Sequence, residues 1–315
     1  MIDIGAREWQ IAIPLFFTSS LPQMRKLLFV LLAVLTLCAC HHNATPTTSE
    51  TDTFTDYYGR TVVVPQQPSR IVSTSPAITE IIFALGGQDL LVGRTQYCEY
   101  PPEAQTIENI GGISDLNVEK IASLKPDLVI SGSMISQEKF EQLATMNVPA
   151  VCVRERPYFN GLYENIAMIG ELIGKDEEAE RLNMKIAAEL QELERATDSS
   201  DRPTLYYVVG FGSEGNYTAG SNTFIHDIIT MAGATNIAAD IDGWSFSIED
   251  LLVKDPDYIM IRKEDSAAFC NMHPYKRLSA VRNGRVIGIN SGIIDQQVPR
   301  NIEAIRFIRT HISEK

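Results

Sequence analysis

The chain contains VEKIASLKPDLVI at residues 118–130 and, 130 residues later, IEDLLVKDPDYIM at residues 248–260. Each stretch has a short helical pattern, a break at a lysine or aspartate before proline, and then an apolar run typical of a buried strand. Glu119 of the first copy aligns with Glu249 of the second. A helix–strand corner that recurs with matching residues in the same order predicts two lobes of similar structure.

Short apolar runs alternate with helical patterns through the rest of the chain. Those of the first half are RIVST, LLVGRT, DLVISG and AVCVR, and those of the second half are TLYYVVG, DYIMIR and RVIGIN. Runs without polar alternation are typical of parallel strands that are covered on both faces. We therefore predict an α/β fold with an N-terminal lobe at residues 56–158 and a C-terminal lobe at residues 199–315. Each lobe has a parallel sheet, and a ligand cleft lies between them.

The helical patterns after the first strand of each lobe are also alike. They read SPAITEIIFALGG and GSNTFIHDIITMAGA, and each combines polar helix-start residues, an acid before Ile-Ile, and a glycine near the end that suits a helix C-cap. The acids are Glu80 and Asp227. The duplication therefore extends beyond the opening pair of corners.

Residues 159–198 connect the two lobes. Isoleucines and leucines recur there at helical spacings, and charged residues fill most of the other positions. This pattern predicts one long helix, or two nearly continuous helices with a soft spot at Gly174, that crosses from lobe to lobe.

The N-terminal part of the chain reads as an export signal. MRKLLFVLLAVLTLCAC, from Met24, has a basic start, an apolar run too short for a membrane span, and small residues before a cysteine. Its end, LCAC, resembles a bacterial lipobox, so we predict a signal peptide at residues 24–39 and lipidation of Cys40; a plain signal peptide cut elsewhere is the alternative. Residues 1–23 are then interpreted as a mis-called upstream start, and the polar residues 40–55 as a flexible tether.

Composition and motifs exclude several classes of protein. The formal net charge of −13 disfavours a surface for nucleic acid or anionic lipid. Apart from Cys38 and Cys40 there are only Cys98, Cys152 and Cys270, so at most one disulfide can form among them. No GxSxG, HExxH or Walker motif is present, and we predict no metal site and no cofactor.

One glycine-rich loop has the spacing of a dinucleotide site. In VVGFGSEGNY, the residues Gly210, Gly212 and Gly215 spell GxGxxG after an apolar strand. No helical pattern opens at the third glycine, and no strand ending in an acid follows at the required distance. An enzyme that uses a nucleotide here is thus the minor hypothesis, and we interpret the glycines as letting a loop pass close to the cleft.

Aromatic residues lie in loops beside strand and helix ends, where parallel sheets place their ligands. Clusters on facing loops would suit a large, flat ligand. They pair Tyr97 with Tyr100, Phe211 with Tyr217, and Trp244 with Phe246.

Arginines lie at similar places. Arg94, Arg154 and Arg262 occupy strand ends, and Arg300 follows IIDQQVP. They form either a solvated rim or contacts to an anionic ligand or to a carboxylate of the other lobe.

The two glutamates of the repeated corner have two interpretations. Each follows a candidate N-cap, Asn117 before Glu119 and Ser247 before Glu249, so each lies in a first helical turn where the helix dipole stabilises a carboxylate. Local stabilisation would explain one such residue. Two equivalent corners would also present two carboxylates on one rim, which fits a partner with two similar halves.

From Tyr57 onward the chain resembles the periplasmic binding proteins of ABC importers for cobalamin, ferric siderophores and haem. The resemblance rests on GRTVVVPQQPSRIVSTSPAITEIIFALGG, VGRTQYCEYPPEA, GGISDLNVEKIASLKPDLVI, YTAG with the helix after it, and SIEDLLVKDPDYIMI. It implies a monomer, anchored through Cys40 on the periplasmic side of the inner membrane, that delivers a metal chelate to a permease dimer with its ATPase subunits. It further implies that Glu119 and Glu249 each engage arginines on one permease subunit.

Within that family, TQYCEYPPEA is most similar to the cobalamin binders. The resemblance implies that Tyr97, Tyr217 and Trp244 line a corrinoid pocket. Ile113 stands where those proteins often carry a tryptophan, and Arg154 and Arg262 leave a ferric siderophore or haem open as the ligand. A lipoprotein that stores corrinoids without a permease is a further hypothesis.

Overall fold

The computed structural model describes residues 51–113, 115–153, 156–195 and 202–313. Across these segments the chain forms two α/β lobes. No helix within them is both long enough and apolar enough to cross a membrane. The predicted signal peptide and Cys40 lie outside the described residues.

The N-terminal lobe begins with an antiparallel hairpin of β1 (Thr51–Thr55) and β2 (Thr61–Pro65). The prediction of a tether as far as residue 55 was wrong at its end, since residues 51–55 form a strand. Alternating Thr side chains suit a strand better than a tether. The turn is held by the buried Asp56 carboxylate, which accepts hydrogen bonds from the backbone and the guanidinium of Arg60.

The rest of this lobe alternates strands and helices. Its elements are β3 (Ile71–Ser73), α1 (Pro76–Ala84), β4 (Leu91–Arg94), α2 (Val118–Ser123), β5 (Leu128–Ser131), α3 (Gln137–Thr145) and β6 (Ala150–Cys152). The four strands from β3 onward are all parallel, in the order β4-β3-β5-β6.

The C-terminal lobe repeats this topology. Its elements are β7 (Thr204–Val208), α6 (Phe224–Met231), β8 (Thr235–Asn236), α7 (Ile248–Lys254), β9 (Tyr258–Arg262), α8 (Ser266–Asn271), α9 (Ser279–Arg282), β10 (Val286–Ile289) and α10 (Asn301–Ser313). The strands are parallel in the order β10-β9-β7-β8. In both lobes, therefore, the first strand lies between the second and the third.

The two lobes are joined by α4 (Gly161–Ile173) and α5 (Asp176–Arg195), which fold back on each other. The prediction of one helix, or of two nearly continuous helices, over residues 159–198 was wrong in this respect. Gly174 ends α4 in the left-handed region, at φ 67°, which glycine adopts without strain. The Asn183 amide then donates to the Tyr163 carbonyl across the antiparallel pair. The second helix is the long element that runs from one lobe to the other.

One apolar core crosses both lobes. It includes Ile81 of α1, Ile169 of α4, Ile228 of α6 and Ile305 of α10, all at most 1% exposed. Separate clusters lie under the outer helices of each lobe, so both faces of each sheet are covered. This explains why the strands are apolar without alternation.

Polar contacts tie each lobe to the helix that follows the fourth strand of the other. The Glu80 carboxylate on α1 forms a two-pronged ion pair with Arg300, just before α10, at 3.0 and 2.7 Å. The Asp227 carboxylate on α6 accepts from the Phe159 backbone N–H, just before α4, at 2.8 Å. The two acids that the sequence placed at equivalent positions therefore make crosswise contacts.

The Glu80–Arg300 pair is nearly buried, with 6% and 14% of the side chains exposed. The Tyr100 ring lies under the guanidinium, 3.5 Å from its carbon. Burial raises the pKa of the Glu80 carboxyl, and Arg300 opposes part of that rise. Arg300 is thus a contact to a carboxylate of the other lobe.

Replacing only one partner of this ion pair should destabilise the fold more than replacing both. Arg300→Met should lower the free energy of unfolding by about 3–5 kcal/mol, because it leaves the Glu80 carboxylate buried without a cation. The double variant Glu80→Leu/Arg300→Met should recover much of the loss. Urea unfolding measures both.

The control is Glu177→Gln, since Glu177 faces Arg181 in an exposed pair, and it should leave the urea midpoint nearly unchanged. A double variant as unstable as the sum of its two single variants would contradict the proposed coupling.

Candidate ligand-binding cleft

A cleft of about 1040 Å³ lies between the lobes. It collects residues that follow the carboxyl ends of the parallel strands, where such sheets place their ligands. The wall from the N-terminal lobe and α4 comprises Ser75, Pro76, Ala77, Ile78, Ile81, Tyr97, Ile113, Ser133, Met134, Val153, Arg156, Pro157, Asn165 and Ile169. The opposite wall comprises Asn222, Thr223, Phe224, Gly243, Trp244, Arg262, Ser291, Asp295, Gln296 and Gln297.

Two large aromatic side chains face the cleft from opposite lobes. Tyr97 follows β4 and is 54% exposed, and Trp244 precedes α7 and is 43% exposed. Burying such rings against a ligand yields a large hydrophobic gain, so they are natural contacts for a flat molecule.

A polar cluster occupies the end of β9 within the cleft. The Arg262 guanidinium donates through Nε and Nη2 to Asp295 Oδ2, at 3.2 and 2.9 Å. The Tyr207 hydroxyl donates to the other oxygen of Asp295. Burial lowers the pKa of Arg262, but Asp295 outweighs this effect and the pKa is raised. Burial, with Asp295, raises the pKa of Tyr207, so the hydroxyl keeps its proton.

The second guanidinium of the lining is also paired. Arg156 donates to Glu164 at 2.8 Å, with both side chains nearly half exposed. Each of the two arginines that line the cleft within the described residues therefore has a carboxylate partner.

A chain of amides crosses the cleft floor between the lobes. Gln297 donates to the Tyr158 carbonyl at 2.7 Å, and Asn165 donates to the Gln297 side-chain oxygen at 3.4 Å. Gly161 permits this approach, since a Cβ there would lie 3.0 Å from the Gln297 amide nitrogen. Sequence reasoning missed Asn165 and Gln297, because single amides in helical or loop patterns carry no distinguishing signal.

Comparison with known proteins identifies the family. A family model described as periplasmic binding protein matches residues 71–292. The chain belongs to the periplasmic binding protein family. An uncharacterized ABC transporter substrate-binding lipoprotein, YvrC of Bacillus subtilis, is 30% identical over 267 residues, which are 82% of this chain and 85% of that protein. A cobalamin-binding protein of Halobacterium salinarum is 30% identical over 257 residues, which are 77% of this chain and 69% of that protein.

A solved structure confirms the predicted two-lobe fold with parallel sheets. The apo form of the periplasmic heme-binding protein RhuT from Roseiflexus sp. RS-1 superimposes with a TM-score of 0.67 at 26% identity. The match covers 77% of this chain and 98% of that chain.

Of the eight ligand contacts predicted for this periplasmic binding protein, four line the cleft: Tyr97, Ile113, Trp244 and Arg262. The other four lie outside that lining. Tyr100 lies under Arg300, and Phe211 packs edge-on against Phe269 and Tyr275. Phe246 is 5% exposed against Tyr206, and Tyr217 bridges Gly210 and Ser245 through its backbone. All four lie near strand ends, and the rings of Tyr100, Phe211 and Phe246 are engaged by these packing contacts.

The remaining predicted arginines differ in role. Arg94 is buried and donates to the carbonyls of Thr95 and Gln105, so it supports a loop. Arg154 lies outside the described residues.

The glycine-rich loop does not build a dinucleotide site. A short 3-10 turn spans Gly212–Glu214, and the next helix begins only at Phe224. No helix therefore begins at the third glycine, where a dinucleotide site would need a helix N-terminus to hold the pyrophosphate. Cys98 and Cys270 are free thiols, and the described residues contain no metal-binding group of three His, Cys, Asp or Glu side chains.

The repeated corner has the same construction in both lobes. Asn117 caps α2 by accepting from the Lys120 N–H, and Ser247 caps α7 by accepting from the Asp250 N–H. The aspartates after the prolines make matching contacts: Asp127 accepts from the backbone N–H and hydroxyl of Ser69, just before β3, and Asp257 accepts from those of Thr204, at the start of β7.

The glutamates of the same corners have no comparable contact. Glu119 and Glu249 are exposed in the first turns of α2 and α7, and neither forms an ion pair with another described residue. The repeated aspartates are thus explained by the fold, whereas the repeated glutamates are not.

Proposed function

We propose that this periplasmic binding protein is the substrate-binding component of an ABC importer and that it captures a corrinoid in its cleft. The observation that carries the proposal is the cleft itself: Tyr97 and Trp244 face it from opposite lobes, and Arg156 and Arg262 are already paired with carboxylates. Its volume of about 1040 Å³ is at the upper end for small-molecule sites and suits a large ligand. The proposal assigns a transport role and no catalytic step.

Charge favours a corrinoid over haem. Haem carries two propionates, and desolvating them in a cleft requires cations that are not already neutralised. A corrinoid has a rim of uncharged amides, which an amide side chain of the lining such as Gln296 complements. The similarity to a cobalamin-binding protein supports the same choice, while the similarity to a heme-binding protein makes haem, with ferric siderophores, the alternative.

Cyanocobalamin should bind one-to-one in calorimetric titration of the purified protein. Trp244→Ala and Tyr97→Ala should each weaken binding at least tenfold, because each removes a ring that would pack on the ligand.

The control is Tyr57→Ala, since Tyr57 is 42% exposed but lies outside the cleft lining, and it should bind as the wild type does. Binding of haemin or a ferric siderophore without binding of cyanocobalamin would overturn the corrinoid assignment.

We further propose that Glu119 and Glu249 dock the protein on a permease with two similar subunits. Two exposed carboxylates on duplicated corners, neither of them paired with a cation among the described residues, support this role. Complementary charges across such an interface guide association and set orientation.

Reversing both charges should separate transport from binding. Glu119→Arg/Glu249→Arg should reduce cellular uptake of labelled cyanocobalamin at least tenfold, because arginine would repel arginines of the permease, and should leave the Kd for cyanocobalamin unchanged.

The matched control is Glu138→Arg/Glu177→Arg, which reverses two acids in the first turns of α3 and α5. Normal uptake by the Glu119/Glu249 variant would contradict docking and favour a lipoprotein that stores corrinoids.

Lipid on Cys40 would hold the protein on the periplasmic side of the inner membrane, since two or more acyl chains give a stable anchor. Cys40→Ser should abolish incorporation of labelled palmitate and move the protein from the membrane fraction to the soluble fraction. Cys38→Ser, two residues away, should change neither. Palmitate on the Cys40→Ser variant would exclude Cys40 as the anchor.

A further inference from the structure

The Arg262–Asp295–Tyr207 cluster is the most strongly organised polar group of the cleft. Tyr207 is fully buried, and its hydroxyl holds one oxygen of Asp295. The other oxygen holds two donors of Arg262. The cluster therefore runs from the core of the C-terminal lobe to the surface of the cleft.

The pair keeps hydrogen-bonding capacity for a ligand. A guanidinium has five N–H donors, and Asp295 engages two of those of Arg262. The Arg262 side chain is 40% exposed and lines the cleft. Its remaining donors can therefore reach a ligand, and Asp295 restricts the orientation in which they do so.

The carboxylate also decides which acceptor these donors prefer. An isolated guanidinium would favour a carboxylate, since charge-assisted hydrogen bonds are the stronger ones. Beside Asp295 the pair has no net charge, and a second carboxylate would be repelled by the first. A neutral carbonyl oxygen accepts the same hydrogen bond without that repulsion.

We infer that Arg262 and Asp295 act together as the specificity determinant of the cleft, with Arg262 donating to a peripheral carboxamide of the ligand and Asp295 rejecting a carboxylate at that place. The inference rests on the proposed function and adds to it the chemistry by which an amide-bearing ligand is distinguished from an acidic one. Asp295 is then a positioning residue that acts through Arg262.

The test compares cyanocobalamin with its separated monocarboxylic acid isomers, each of which has a carboxylate in place of one peripheral amide. At least one isomer should bind the wild-type protein ten or more times more weakly than cyanocobalamin, which corresponds to about 1.4 kcal/mol. For that isomer, Asp295→Asn should reduce the difference at least tenfold, because the charge of Arg262 is then no longer compensated. Haemin affinity should rise in the same variant.

The matched control is Glu189→Gln, which removes the carboxylate partner of Arg306, an arginine outside the cleft lining. Because that pair does not face the cleft, the preference for the amide should change less than threefold. Arg262→Met should weaken cyanocobalamin binding and remove the discrimination against the same isomer. A thermal melt of each variant separates loss of fold from loss of recognition.

The outcomes distinguish the two levels of the proposal. If wild-type protein does not bind cyanocobalamin, or binds haemin more tightly, the proposed function and the inference both fall. If cyanocobalamin binds but every acid isomer binds as well, the inference alone falls, and this comparison needs no variant. The inference is equally overturned if Asp295→Asn leaves the ratio of affinities unchanged.

Discussion

The structure depends on the crosswise contacts between the lobes. The helix that follows the last strand of each lobe is held at its start by an acid of the other lobe. Glu80 pairs with Arg300 before α10, and Asp227 accepts from the Phe159 N–H before α4. The apolar core is continuous beneath these contacts. The carboxyl ends of two separate sheets are thereby held opposite one another, and the space between them is the cleft.

The electrostatics of the cleft depend on ion pairs formed within each lobe, Arg156 with Glu164 and Arg262 with Asp295. The chain is strongly acidic, yet its cleft arginines are balanced one by one by carboxylates, so the lining combines apolar surface with neutral donors and acceptors. Ion pairs of this kind are weak contributors to stability when half exposed. They instead affect ligand selection, because they determine which ligand groups recover most of their desolvation free energy in the cleft.

Duplication separates residues that serve the fold from residues that do not. Asp127 and Asp257 occupy equivalent places and make equivalent hydrogen bonds to the first strand region, which accounts for their repetition. Glu119 and Glu249 are repeated as faithfully, but within the described part of the chain neither forms an ion pair. A repeated side chain without a structural task is the sign of a shared partner, and this supports the proposed docking role.

By itself the sequence determined the two lobes, their parallel sheets and the capped corners, because these follow from local hydrophobic period and helix-end chemistry. It also identified Tyr97 and Trp244, since both lie in loops that a parallel sheet must direct to its ligand edge. Only the tertiary structure decided that the linking segment folds back at Gly174, that Tyr100 and Phe246 turn into packing contacts, and that Arg262 is neutralised by Asp295. Those outcomes depend on contacts between residues far apart in the chain, such as Arg300 and Glu80, which are 220 positions apart. A local sequence pattern does not encode which distant side chain a residue will contact.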